Sequence, residues 1–123
     1  MAFIADSIFD LALAGLTGVG DRIDICSQEP TNYSQATTGG TYSLGNGTTT
    51  VPAASDGATS GRRVIVGAVT AGSVTDTGTA THWALTDGAS ALLATGALAS
   101  SQAVTSGNTF NLAAFSITFP DAA

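Results

Sequence analysis

The sequence predicts a mainly β fold, a small antiparallel β-sandwich or barrel with one N-terminal helix and a long irregular loop. Three observations carry this. Short β-branched or alternating segments recur through the second half, separated by Gly- and Asn-containing turns, as in all-β sandwiches and barrels. Only one segment has helical periodicity, whereas parallel strands need a helix or similar crossover between them. A chain of 123 residues has apolar area for one core, so residues 1–123 form a single β-rich domain.

The helix is expected within residues 1–17. Ile4, Ile8, Leu11 and Ala12 recur at i, i+4, i+7 and i+8, which places them on one face. Asp6 sits in the first turn, where negative charge suits the helix dipole, and Gly15, Gly18 and Gly20 end the segment. A helix this short is marginal alone, so its apolar face must dock on its own sheet or on a neighbouring subunit.

A first strand follows at residues 22–27, with Ile23 and Ile25 on one side and Asp24 and Cys26 on the other. Residues 28–60 are rich in Thr, Gly, Ser, Asn and Pro. They form an extended loop region, with Tyr33, Tyr42 and Leu44 as anchors and a short strand at residues 41–44. Asn46-Gly47 and Asp56-Gly57 are its turn signals. Residues 62–69 (R-R-V-I-V-G-A-V) form one buried strand by their β-branched run. Strands at residues 73–75 and 79–86 come next, and Asp87-Gly88-Ala89-Ser90 joins the latter to residues 92–98 as a hairpin. Ser106-Gly107-Asn108 turns the chain into a last strand at residues 109–119, closed by Pro120. In that strand Leu112 lies on the even face, but Phe115, Ile117 and Phe119 lie on the odd face. This change of phase predicts a bulge or bend near Ala113 and Ala114.

Charge narrows the function classes. Charged residues make up 10% of the chain, against about 25% in a typical soluble protein. There is no Lys, the cations are Arg22, Arg62 and Arg63, and the net charge is −6. Binding nucleic acid depends on neutralising phosphates with Lys and Arg, so no nucleic-acid partner is expected, nor an anionic membrane. No apolar run approaches the ~18 residues of a membrane span. The start, interrupted by Asp6 and Asp10, does not read as a secretory signal. Cys26 has no second cysteine to pair with and reads as a small buried hydrophobe, which fits folding in a reducing cytoplasm.

Chemistry-bearing residues are sparse. His82, the one histidine, lies in T-A-T-H-W-A-L-T-D on the strand face opposite Trp83 and Leu85. It reads as a hydrogen-bonded or solvated strand histidine, and Asp87 falls on the other face, out of local contact. Asp21 and Asp24 lack the alternating ligands of a calcium loop. One Cys and one His make a zinc site improbable. The glycines of G-L-T-G-V-G follow a helix, the reverse of a phosphate-binding order. No catalytic residue, cofactor or metal is expected. Glu29, before Pro30, is either part of a turn or an exposed acidic contact. Arg62 and Arg63 face opposite ways on a strand, so one can pair internally with an Asp while the other meets a partner.

Several segments are similar to known proteins along the whole chain. They are M-A-F-I-A-D-S-I-F-D-L-A-L, D-I-C-S-Q-E-P-T-N-Y, G-T-A-T-H-W-A-L-T-D-G, L-L-A-T-G-A-L, S-Q-A-V-T-S-G-N-T-F and F-S-I-T-F-P-D-A-A. Together they resemble a group of small proteins encoded among the virion structural genes of tailed bacteriophages and prophages. The resemblance implies a virion component made in the host cytoplasm, and it carries over no catalytic or binding residue. A capsid decoration (cement) protein fits best, with the major capsid protein and copies of itself, as a trimer, for partners. A tail, fibre or connector component is the alternative, as is a carbohydrate-binding module at a fibre tip. Phe3, Ile4, Ile8 and Leu11 on the helix, with Arg62 and Arg63, are the expected contact residues.

Overall fold

The computed structural model describes residues 5–56 and 61–119. Among the described residues two short helices, α1 (Asp6–Leu13) and α2 (Tyr33–Thr37), accompany nine strands. The strands are β1 (Arg22–Cys26), β2 (Ser43–Thr48), β3 (Ser55–Asp56), β4 (Arg62–Val66), β5 (Val69–Val74), β6 (Gly78–Thr86), β7 (Leu92–Val104), β8 (Thr109–Leu112) and β9 (Phe115–Phe119). Six form a sheet in the order β7-β6-β1-β2-β5-β8, and three form a second in the order β3-β4-β9. Every strand pairing is antiparallel. The larger sheet curls into a half-barrel, and the expected mainly β fold is the fold observed.

Two breaks join the sheets. Residues 62–69, expected as one strand, are two: the chain leaves the smaller sheet after Val66 and enters the larger at Val69. Gly67 makes the corner, donating its N–H to Thr50 O at 2.9 Å, while its own carbonyl accepts from Thr49 Oγ1 at 2.6 Å. The final strand breaks likewise at Ala113 and Ala114, so that β8 belongs to the larger sheet and β9 to the smaller. The phase change in the sequence is therefore a change of sheet. Because β4 pairs with β9 and β5 with β8, the two crossings run together. Val64, Val66 and Val69 thereby share one buried cluster with Leu13, Ile23, Val51 and Leu85. Each such side chain contributes roughly 1.5–3 kcal/mol on burial.

Of the two destinations expected for the apolar face of α1, its own sheet is not used: within the chain the helix docks by another face. Leu13 is fully buried, whereas Ile8 and Leu11 are 55% and 73% exposed, and Ala12 is also exposed. An ion pair fixes this rotation: Arg62 Nε donates to Asp10 Oδ1 at 2.8 Å. Asp10 and Leu13 are three residues apart and so share a face. Phe3 and Ile4 lie outside the described residues.

The region expected as an extended loop, residues 28–60, contains α2, β2 and β3. Asn32 caps α2, accepting from the Gln35 N–H at 2.9 Å, and Gln35 Oε1 reaches back to the Thr31 N–H at 2.8 Å. This reciprocal arrangement starts a helix too short to form by propensity. Asn46 and Gly47 make no turn; they lie inside β2 opposite Asp24 and Ile23. A Cβ at Gly45 or Gly47 would collide with the Ser73 carbonyl oxygen or Val69 Cγ1. Those glycines serve a close approach of β5.

The β6–β7 hairpin forms as expected, with β7 longer than residues 92–98. Asp87 Oδ1 accepts from the N–H groups of Ala89, Ser90 and Ala91 at 2.9, 2.9 and 3.0 Å. Those bonds, that from Ala91 first, hold the Asp87 carboxyl below its ordinary range. A lowered folded value adds stability above the unfolded pKa near ~3.9, and that stability is lost as pH falls through the folded value. Asp87→Asn is therefore expected to be less stable than the natural chain at neutral pH, with the gap closing below about pH 4. Urea unfolding across a pH series measures it, and a gap independent of pH would contradict the assignment.

Candidate interaction surface

Strand β1 is covered on both faces. Ile23 and Ile25 meet Leu85 and Trp83 in register and face the core. Asp24 and Cys26 face the other way, where Cys26 packs with Ala36 of α2 and Ala84. Asp24, wholly buried, accepts from Arg22 Nε at 2.7 Å, Arg22 Nη2 at 3.0 Å and Ser43 Oγ at 2.7 Å. Arg22 Nη2 also donates to Thr37 O at 3.2 Å, tying α2 to the sheet. Burial raises the Asp24 carboxyl above its ordinary value, opposed by the hydrogen bonds from Arg22 and Ser43. The cluster is a brace between β1, β2 and α2. Sequence reading missed it because Ser43 and Thr37 lie far from Asp24 along the chain.

The residues that could carry chemistry are occupied with structure. Burial, and secondarily Asp24, pushes the Cys26 thiol up to about 12, so it is not a thiolate at neutral pH. His82 lies opposite Cys26 and Ala97 in the ladders, away from Trp83 and Leu85 as expected. Its Nδ1 is 2.9 Å from Thr81 Oγ1, which in turn donates to Ser27 O at 2.8 Å. Glu29 is exposed and accepts from Thr95 Oγ1 at 3.0 Å. Among the described residues no group of three or more His, Cys, Asp and Glu could hold a metal ion. No described helix is long and apolar enough to cross a membrane.

The expected contact residues do not form one patch. Ile8 and Leu11 stand exposed on α1. Arg62 is engaged within the chain, bonded to Asp10 and, through Nη1, to Asp56 at 2.7 Å. These pairs hold its guanidinium above its ordinary pKa. Val64 and Val66 are buried, so Arg63 and Ile65, which alternate with them, lie on the outer face of the smaller sheet. There Arg63 Nη1 is 3.4 Å from Ser116 Oγ, and its Nε is buried with no hydrogen-bond partner among the described residues.

A surface absent from those expectations lies between the edges of the curled sheet. Trp83 of β6 sits opposite Gly96 of β7, where a Cβ would come 2.6 Å from the indole. Its ring also packs against Phe115, centroids 4.4 Å apart. Phe110 of β8 stands over Gly72 of β5 in the same way, 2.5 Å from a Cβ built there. An aromatic ring thus covers a cross-strand glycine near each edge, a device that pins register. Leu98 and Phe110, from opposite edges, both pack on Ile25, Leu44 and Ala80. The signal in the sequence was the pairing of lone aromatics with strand glycines, which only the register reveals.

No family model, no curated protein and no solved structure matches the chain.

Removing one partner of a buried charge pair costs about 3–5 kcal/mol. Asp24→Ala is expected to lose stability on that scale, and Asp24→Asn, which keeps an accepting oxygen for Ser43 or Arg22, to lose less. Chemical denaturation of both variants checks the brace; a near-neutral Asp24→Ala would refute it.

Proposed function

We propose that the chain is a structural subunit of a bacteriophage particle, a capsid decoration protein that binds the outer shell and bridges neighbouring capsid subunits. The observation that carries this reading is a fixed helix with an outward apolar face. The Arg62–Asp10 pair and the buried Leu13 hold α1 in place, while Ile8 and Leu11 remain in solvent. That rotation buries Leu13 within the chain and leaves Ile8 and Leu11 as a preformed apolar contact for an assembling partner. Arg63 and the exposed Ile65 add a second patch on the outer face of the smaller sheet. The resemblance of the sequence to virion structural proteins agrees with it.

The mechanism is noncovalent. Burying Ile8 or Leu11 against a capsid subunit contributes roughly 1.5–3 kcal/mol each, too little for one stable contact. Many copies on a repeating shell, joined as trimers, multiply such weak contacts through effective concentration. The low charge of the chain suits a surface that stays inert elsewhere.

Quantitative mass spectrometry of purified particles tests this reading. Copy numbers on the scale of the major capsid protein are expected, together with lost heat or osmotic resistance in particles lacking the chain. A few copies per particle would assign it instead to a connector or fibre. High copy number with unchanged shell resistance would assign it to the tail tube.

A further inference from the structure

β7 and β8 are consecutive in the chain and joined by a tight turn at Ser106 and Gly107, yet they do not pair. Among the described residues β7 bonds only to β6 and β8 only to β5. They are the outer strands of the curled sheet, and their free edges face each other across a groove. Three adjoining cavities of about 400, 210 and 540 Å³ mark its course from the turn to the Ala113–Ala114 break. Leu98 and Val104 line one wall, Phe110, Leu112 and Phe115 the other, and Trp83 part of the floor. None of the residues lining the three cavities is charged.

We infer that this groove takes an extended, uncharged β-strand from a neighbouring polypeptide, which pairs with β7 on one side and β8 on the other and completes the barrel. Free strand edges present rows of N–H and C=O groups that template such pairing. Natural edges are guarded by Lys, Pro, inward charge, short length or bulges; β7 has no Lys, Pro or charge between Leu92 and Val104, and bulges are its guard. Its irregularity at Leu98 to Ser101, opposite Thr81, separates the stretches Ala94 to Ala97 and Gln102 to Val104, and a second irregularity falls at Leu93.

The groove also selects its occupant. A strand lying between two edges must have both of its own edges free. Every described strand already has at least one edge paired, so none of the described strands of a second copy can enter. A charged side chain turned into the groove would find no counter-ion among its lining residues, at a cost. An uncharged arm of another protein, with both of its edges free and small or apolar residues facing inward, meets these conditions. This deepens the assembly role proposed above, and its failure is separable: copy number tests the role, and the following experiment tests the groove.

Hydrogen exchange of the full chain, with and without an N-acetylated peptide of alternating threonine and valine, reads the groove directly. Amides on the outer edges of β7 and β8 are expected to slow at least about tenfold at saturating peptide. An analogue N-methylated at alternate positions cannot complete the ladders and is expected to leave them unchanged. Unchanged exchange with the first peptide, or equal slowing by the two, would overturn the inference. Slowing that rises with protein concentration alone would place a second copy in the groove and overturn it equally.

Discussion

The rest of the structure depends on two adjacent corners, at Gly67 and at Ala113–Ala114, where the chain passes between sheets. A β-branched strand run straight through either point would keep both halves in one sheet. The corners instead bring Val64 and Val66 from one sheet and Val69 from the other into a single buried cluster. They also set what remains open. Because the chain turns away after Leu112 to join β4, β8 stops after four residues and never reaches β7. The half-barrel is left with two unpaired edges, and the core beneath them is covered by aromatic rings laid over glycines.

Much of the fold was legible because its signals are local. Alternation, turn residues and the phase change at Ala113–Ala114 each depend on neighbours in sequence. The Gly67 corner carried a phase change too, from Val64 and Val66 to Val69, but Ile65 between two valines hid it within a uniform β-branched run. Asn46-Gly47 misled because glycine supports two opposite things, a turn or a close strand approach. The strand partner Ser73, which decides between them, is remote in sequence. The rotation of α1 was illegible for the same reason: Arg62, which fixes Asp10, is 52 residues away.

The candidate surfaces follow this division. Exposed Ile8 and Leu11 were readable as apolar residues at helical spacing, though not as residues left in solvent. The groove was not readable at all, since it is made by strands that fail to pair. The charged residues are few and several are spent internally. Arg22 braces Asp24, Arg62 joins α1 to the smaller sheet, and Asp87 closes a hairpin. Apart from a few exposed carboxylates such as Asp21, Glu29 and Asp56, the outward surface is mostly apolar or uncharged, suited to contact by shape and backbone pairing more than by charge.

The proposed role is incorporation into a larger assembly, with α1 and the groove as points of attachment. A density map of the intact particle that resolves side chains tests it most directly. Copies are expected on the outer shell, with Ile8 and Leu11 against a capsid subunit and a strand of another polypeptide between β7 and β8. Copies confined to the tail, or an α1 face and groove filled only by solvent, would contradict it.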